Sequence, residues 1–125
     1  MESNKKISIV IAARNEEKRI RPTLRSLEKI NYPRENFEVI IVDDDSSDNT
    51  VNIIEAFTQK YNHWKLIRLK REASELRGKK RALNEAINQS RYDIIFTTDA
   101  DCMVPPNWLN KMSAYFNDKV DMVIG

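Results

Sequence analysis

Tyr92-Asp93-Ile94-Ile95-Phe96-Thr97-Thr98-Asp99-Ala100-Asp101 is the stretch that decides the fold. Its short apolar run reads as a buried strand, and two aspartates at i, i+2 close it. A second run, Phe37-Glu38-Val39-Ile40-Ile41-Val42, reads the same way and leads into Asp43-Asp44-Asp45. Crowding like charges at a strand end gains folding nothing, so a ligand is the simplest compensation. One oxygen-preferring divalent cation, or a cation and a ribose hydroxyl, would serve both Asp99 and Asp101. Two strands that each end in carboxylates imply a single site at the carboxyl edge of a parallel sheet.

Working outward, strand and helix alternate along the chain. Ile7–Ala12 is a β-branched strand, and Glu16 to Ile30 carries Ile20, Leu24, Leu27 and Ile30 at helical spacing with Asn15 as its cap. Pro22 does not suit a helix beyond its first turn, so the start is irregular or lies near Arg19. Asn31-Tyr32-Pro33-Arg34 ends that helix and strand two covers Phe37–Val42. Ser47 or Asp48 caps a helix bearing Val51, Ile54 and Phe57. A strand at Trp64–Leu69, a charged loop from Lys70 to Gly78 and a helix from Lys79 to Ser90 follow. The fourth strand is Asp93–Thr98, and Pro105-Pro106 opens a last helix with Trp108, Leu109, Met112 and Phe116. This alternation predicts βαβ crossovers: a Rossmann-like three-layer α/β/α domain with a mostly parallel sheet. Ligands bind such sheets outside the carboxyl ends of the strands, where both acidic clusters and the turn Ala12-Ala13-Arg14-Asn15-Glu16 fall.

Composition bounds the rest. The 125 residues make one domain over 1–125, with 41% hydrophobic and 32% charged residues, an ordinary globular balance. A net charge of +2 gives no argument for nucleic acid or an anionic membrane. Cys102 is the only cysteine, so no internal disulfide forms and a reducing, cytoplasmic location is expected. No apolar stretch approaches the roughly 18–20 residues of a membrane span. The ending Val120-Asp121-Met122-Val123-Ile124-Gly125 reads as a strand, which suits the N-terminal part of a longer protein.

Each feature has a plainer explanation to beat. One aspartate after a strand is ordinarily a turn-former; two at i, i+2, beside a second acidic cluster, exceed that. Helix capping accounts for Asp48, but not for three consecutive carboxylates, and the glycine and final glutamate of an EF-hand loop are absent. Most of the basic run Arg68, Lys70, Arg71, Arg77, Lys79, Lys80 and Arg81 is a solvated face. Lys79, beside Gly78 at a helix start, is the candidate to neutralise a diphosphate. With only two glycines, Gly78 and Gly125, neither a Walker loop nor a Gly-x-Gly-x-x-Gly turn exists. Any nucleotide phosphate must then be handled by a cation on carboxylates. His63 is expected at the surface, Cys102 has no histidine partner for nucleophilic work, and Trp108 belongs to the core.

Four segments carry a resemblance. They are Ile9-Val10-Ile11-Ala12-Ala13-Arg14-Asn15-Glu16-Glu17, Val42-Asp43-Asp44-Asp45-Ser46-Ser47-Asp48, Gly78-Lys79-Lys80-Arg81-Ala82-Leu83-Asn84 and Thr98-Asp99-Ala100-Asp101. In this order they resemble the N-terminal, nucleotide-sugar-binding part of glycosyltransferase family 2, which has the GT-A fold; Asp45 stands where many members carry glycine. The resemblance implies that Asp43, with Asp44 beside it, recognises the base of a nucleoside diphosphate, typically uracil. It puts Ala12, Ala13, Arg14 and Glu16 along the nucleoside pocket and Lys79 near the base or diphosphate. It gives Asp99 a ribose or metal contact beside Ala100, and makes Asp101 a ligand of Mg²⁺ or Mn²⁺.

The implied activity is inverting transfer from a nucleoside-diphosphate sugar, most simply a UDP-sugar, to an acceptor hydroxyl of an envelope polysaccharide or glycolipid. The acceptor is thus a saccharide or lipid, and the longer protein is expected at the cytoplasmic face of the membrane. The base that inversion needs is expected downstream, so no catalytic residue is assigned within these 125 residues, which are expected to bind donor and to self-associate. A nucleotide-sugar-binding module without catalysis is the main alternative. A phosphoacceptor receiver domain and a haloacid-dehalogenase-type phosphatase both need their acidic groups after strand one, which here ends in Arg14-Asn15.

Overall fold

Apolar β-branched runs buried on both faces make the centre of this molecule, a sheet in the order β3-β2-β1-β4-β5. The computed structural model describes residues 5–70, 78–114 and 122–124, with the backbone alone at 78–79 and 122–124. Within these residues the strands are β1 Ile7–Ala13, β2 Phe37–Asp44, β3 Trp64–Leu69, β4 Ile94–Thr97 and β5 Met122–Ile124. The helices are α1 Ile20–Glu28, α2 Thr50–Thr58, α3 Gly78–Asn88 and α4 Trp108–Ala114. Every described strand pair is parallel, with Ala13 opposite Asp43 and Asp44 opposite Leu69 at the carboxyl edge.

The period of two along β1 builds both layers of core. Ile7, Ile9, Ile11 and Ala13 face α1, α2 and α4, packing with Leu24, Leu27, Ile54, Phe57 and Leu109. Val10 faces the other way and joins Ile40, Val42 and Ile95 under Ala82 and Ala86 of α3. The result is the predicted three-layer α/β/α arrangement. Trp108 is core as expected, 5.7 Å from Phe96 between ring centroids. Among the described residues no helix is long and apolar enough to cross a membrane.

Several element boundaries differ from the sequence expectations, each for a local reason. α1 starts at Ile20 with Arg19 at the cap position, the later of the two starts that Pro22 suggested, which places Pro22 in the first turn, where its missing N–H is not needed. Asn15 does not cap α1; its side chain serves the loop after β2. β2 runs on to Asp44, so Asp43 and Asp44 are strand residues. α2 starts at Thr50 with Asn49 at the cap position, and Asp48 rather than Ser47 accepts the Thr50 N–H, at 2.9 Å. α4 starts at Trp108, after the two prolines; Pro105 C=O accepts the Trp108 N–H in the turn that leads into it. His63 is half-buried, edge-on to the Phe37 ring at 4.8 Å, and burial and then Arg34 lower its pKa. The loop residues 71–77 and Phe116 lie outside the described residues.

Candidate functional site

β1 lies between β2 and β4, so the chain winds one way from β1 to β3 and the other way from β4 to β5. At that reversal the loops leaving neighbouring strands diverge and open a crevice at the carboxyl edge. A cleft of about 360 Å³ lies there. β1 and its turn supply Ala12, Ala13, Arg14 and Glu16; β2 supplies Asp44; the segment after β4 supplies Asp99, Ala100 and Asp101. Both acidic clusters therefore reach one cleft.

The turn after β4 explains how it displays two charges. Cys102 N–H donates to Asp99 C=O at 3.2 Å, closing a turn. Ala100 tucks into the core at 5% exposure, while Asp99, Asp101 and Cys102 stay exposed. One ligand atom from each of those three lies within 4.8 Å of the others. Paired carboxylates at such separation suit a hard dication. Local desolvation, then the Asp101 charge and its acceptance of the Cys102 S–H at 3.6 Å, push the thiol up. Of the three, the two carboxylates are the oxygen donors that a hard divalent cation prefers.

Asp43 and Asp44 part company. Both are buried, at 2% exposure each. Asp43 accepts Ser46 N–H at 3.1 Å on Oδ2 and the Ser46 hydroxyl on Oδ1, and it is not part of the cleft lining. Asp44, one residue further along the strand, lines the cleft. Glu16 also lines it, with Oε2 buried and without a hydrogen bond in the structure. A buried carboxylate oxygen of that kind is a ready acceptor for a ligand donor.

A clasp between two loops, not foreseen from sequence, holds these side chains. Asn15 N–H donates to Ser46 Oγ at 2.9 Å, and Asn15 Oδ1 accepts Ser47 N–H at 2.8 Å. Glu16 N–H donates to Thr50 Oγ1 at 2.9 Å, and the Thr50 hydroxyl donates to Asp48. Burial works upward on Asp48, but the bonds from Thr50 and from Glu17 N–H outweigh it and hold the carboxyl below its ordinary value. The only signal in the sequence was the density of Asp, Ser, Asn and Thr over 43–50. The Lys79 side chain lies outside the described residues, but Arg81 Nη1 donates to Lys70 C=O at 3.0 Å and ties the first turn of α3 to the end of β3.

With this geometry in place, the likeness to known proteins is specific. The model of the family described as Glycosyl transferase family 2 matches residues 8–125. The chain belongs to glycosyl transferase family 2. Among the family's curated members it is 38% identical over 110 residues to the beta-monoglucosyldiacylglycerol synthase of Synechocystis, covering 88% of this chain and 22% of that protein. Staphylococcus aureus TarS in complex with UDP-GlcNAc is 30% identical with a TM-score of 0.73, covering 87% of this chain and 30% of the other. The mannosyltransferase PcManGT of Pyrobaculum calidifontis, in complex with GDP-Man and Mn²⁺, is 27% identical with a TM-score of 0.72, covering 86% and 33%. The chain spans less than a third of the length of the curated relatives it matches first.

Proposed function

We propose that residues 1–125 are the donor-binding part of a glycosyltransferase, taking a nucleoside-diphosphate sugar, with UDP-sugar the preferred class. The observation that carries this reading is the convergence of Glu16, Asp44, Asp99 and Asp101 on one cleft at the point where the strand order reverses. The resemblance implies Asp43 for the base; because Asp43 is bonded to Ser46 and Asp44 lines the cleft, we assign the imide N–H to Asp44, with Asp43 beside it holding the turn. Ala12, Ala13 and Arg14 line the nucleoside pocket, Glu16 accepts a donor on its buried oxygen, and Lys79 lies near the base or diphosphate. Ala100 keeps the Asp99–Asp101 turn seated, so that Asp99 meets the ribose or the metal and Asp101 meets the metal.

Asp101 and Asp99 would hold Mg²⁺ or Mn²⁺, which neutralises the negative charge that builds on the departing diphosphate as the anomeric C–O bond breaks. The acceptor hydroxyl of a saccharide or lipid attacks from the opposite face, inverting the anomeric centre, and its proton goes to a carboxylate outside these 125 residues. Relatives named for glycolipid synthesis and structural neighbours solved with UDP-GlcNAc and GDP-Man support this class of donor. Gly78–Asn84 and Asp99–Leu109 resemble family members that make envelope polysaccharide or glycolipid, and that resemblance supports such a product.

Calorimetric titration of UDP, GDP and CDP, each with and without Mn²⁺, tests the reading. UDP is expected to bind best and Mn²⁺ to tighten it. Asp101→Ala should abolish the metal's effect while leaving the far-UV spectrum unchanged. Equal affinity with and without metal would overturn the assignment of Asp99 and Asp101.

A further inference from the structure

Arg19 has no role in the account so far, yet it sits at the mouth of the cleft. Its Nη1 lies 3.7 Å from Asp101 Oδ2, with the two side chains 68% and 43% exposed. The backbone puts it there. Arg19 N–H and Ile20 N–H both donate to Glu16 C=O, at 3.0 and 2.9 Å, so the start of α1 hangs from a residue that lines the cleft. Further along α1, Ser26 Oγ accepts Val104 N–H at 3.0 Å, fastening the helix to the segment that follows Asp101. α1 is thus tied both to cleft-lining Glu16 and to the segment after Asp101, and the guanidinium reaches Asp101 from a fixed base.

The electrostatics of that position reverse as ligands arrive. With no cation bound, Asp99 and Asp101 are like charges on one turn, and Arg19 is the counter-ion of Asp101. A dication on the same carboxylates repels a guanidinium at this distance, and an exposed ion pair is weak enough to yield. A diphosphate then adds net negative charge to carboxylates that the cation has already balanced. The planar, five-donor guanidinium suits phosphate oxygens better than any other side chain.

We infer that Arg19 is an exchangeable counter-ion: it competes with the divalent cation for Asp101 when the cleft is empty, and binds the donor's diphosphate once metal and nucleotide are present. This rests on the metal reading of Asp99 and Asp101 given above. The signature is a change of sign. Mn²⁺ binding to the 125-residue chain is measured by electron paramagnetic resonance without nucleotide, and UDP binding by calorimetry at saturating Mn²⁺.

Arg19→Ala is expected to tighten Mn²⁺ alone by about two- to fivefold, the range an exposed pair spans. The same change is expected to weaken UDP in the presence of Mn²⁺ by about tenfold, as loss of a charge-assisted contact. Arg19→Lys should retain the competition with Mn²⁺ but lose part of the UDP affinity, because an ammonium cannot make the planar two-pronged contact. If Arg19→Ala leaves both affinities unchanged, or weakens both, while Asp101→Ala still abolishes Mn²⁺ binding, the inference fails and the metal reading stands. If the unaltered chain binds no Mn²⁺, both fail together.

Discussion

Asp43 and Asp44 are adjacent, equally buried and chemically identical, yet they do different work. Because β2 continues to Asp44, successive side chains leave on opposite faces. Asp43 is spent on Ser46, and Asp44 lines the cleft. Asp43→Ala is therefore expected to lower stability by about 1–3 kcal/mol, the cost of stranding buried donors, as measured by urea denaturation. Asp44→Ala should instead weaken UDP affinity about tenfold in calorimetry, the loss of a charge-assisted contact, with a smaller change in stability. The reverse pattern would exchange their roles. The residues alone point to either member and the resemblance implies Asp43 for the base; the assignment to Asp44 turns on where the strand stops and on which carboxylate lines the cleft. Asp45 is a similar case. Its φ of 59° is left-handed, the region where glycine is free of strain and aspartate is tolerated. That conformation is a physical reason for the glycine that the resemblance leads one to expect there.

At the scale of elements, the strands and helices were legible because each carries a clear period, and their ends were not. The starts have separate local causes: Pro22 fits only the first turn of α1, Asp48 accepts the Thr50 N–H where α2 begins, and Pro105 C=O accepts the Trp108 N–H in the turn before α4. Asp48 gives the most direct test. Its carboxyl is held below its ordinary pKa of 3.8, so the bonds it accepts from Thr50 and Glu17 stabilise the fold fully above that value. The contribution is lost as pH falls through the depressed folded value. Asp48→Ala should accordingly cost about 1 kcal/mol near neutral pH, the magnitude of a lost helix cap. The difference between the two proteins should shrink as pH drops below 3.8. Thermal melts across that range check it; a gap that widens on acidification would contradict the assignment.

For the molecule as a whole, the reversal of strand order between β1 and β4 turns three separate stretches into one site. Ala12–Glu16, Asp44 and Asp99–Asp101 are far apart in the chain and meet only because β1 takes the central place. The parallel sheet and its acidic edge could be read from strand–helix alternation. The order of strands could not be read from periodicity; the structure supplies it. The direct test is a ¹⁵N-resolved NMR titration of the 125-residue chain with UDP, adding a trace of paramagnetic Mn²⁺. The account predicts shift changes at Ala12–Glu16 and Asp44, with metal-induced broadening centred on Asp99–Cys102 and spreading to those same residues. Broadening that leaves residues 12–16 and 44 untouched, or shift changes confined to another face, would contradict it.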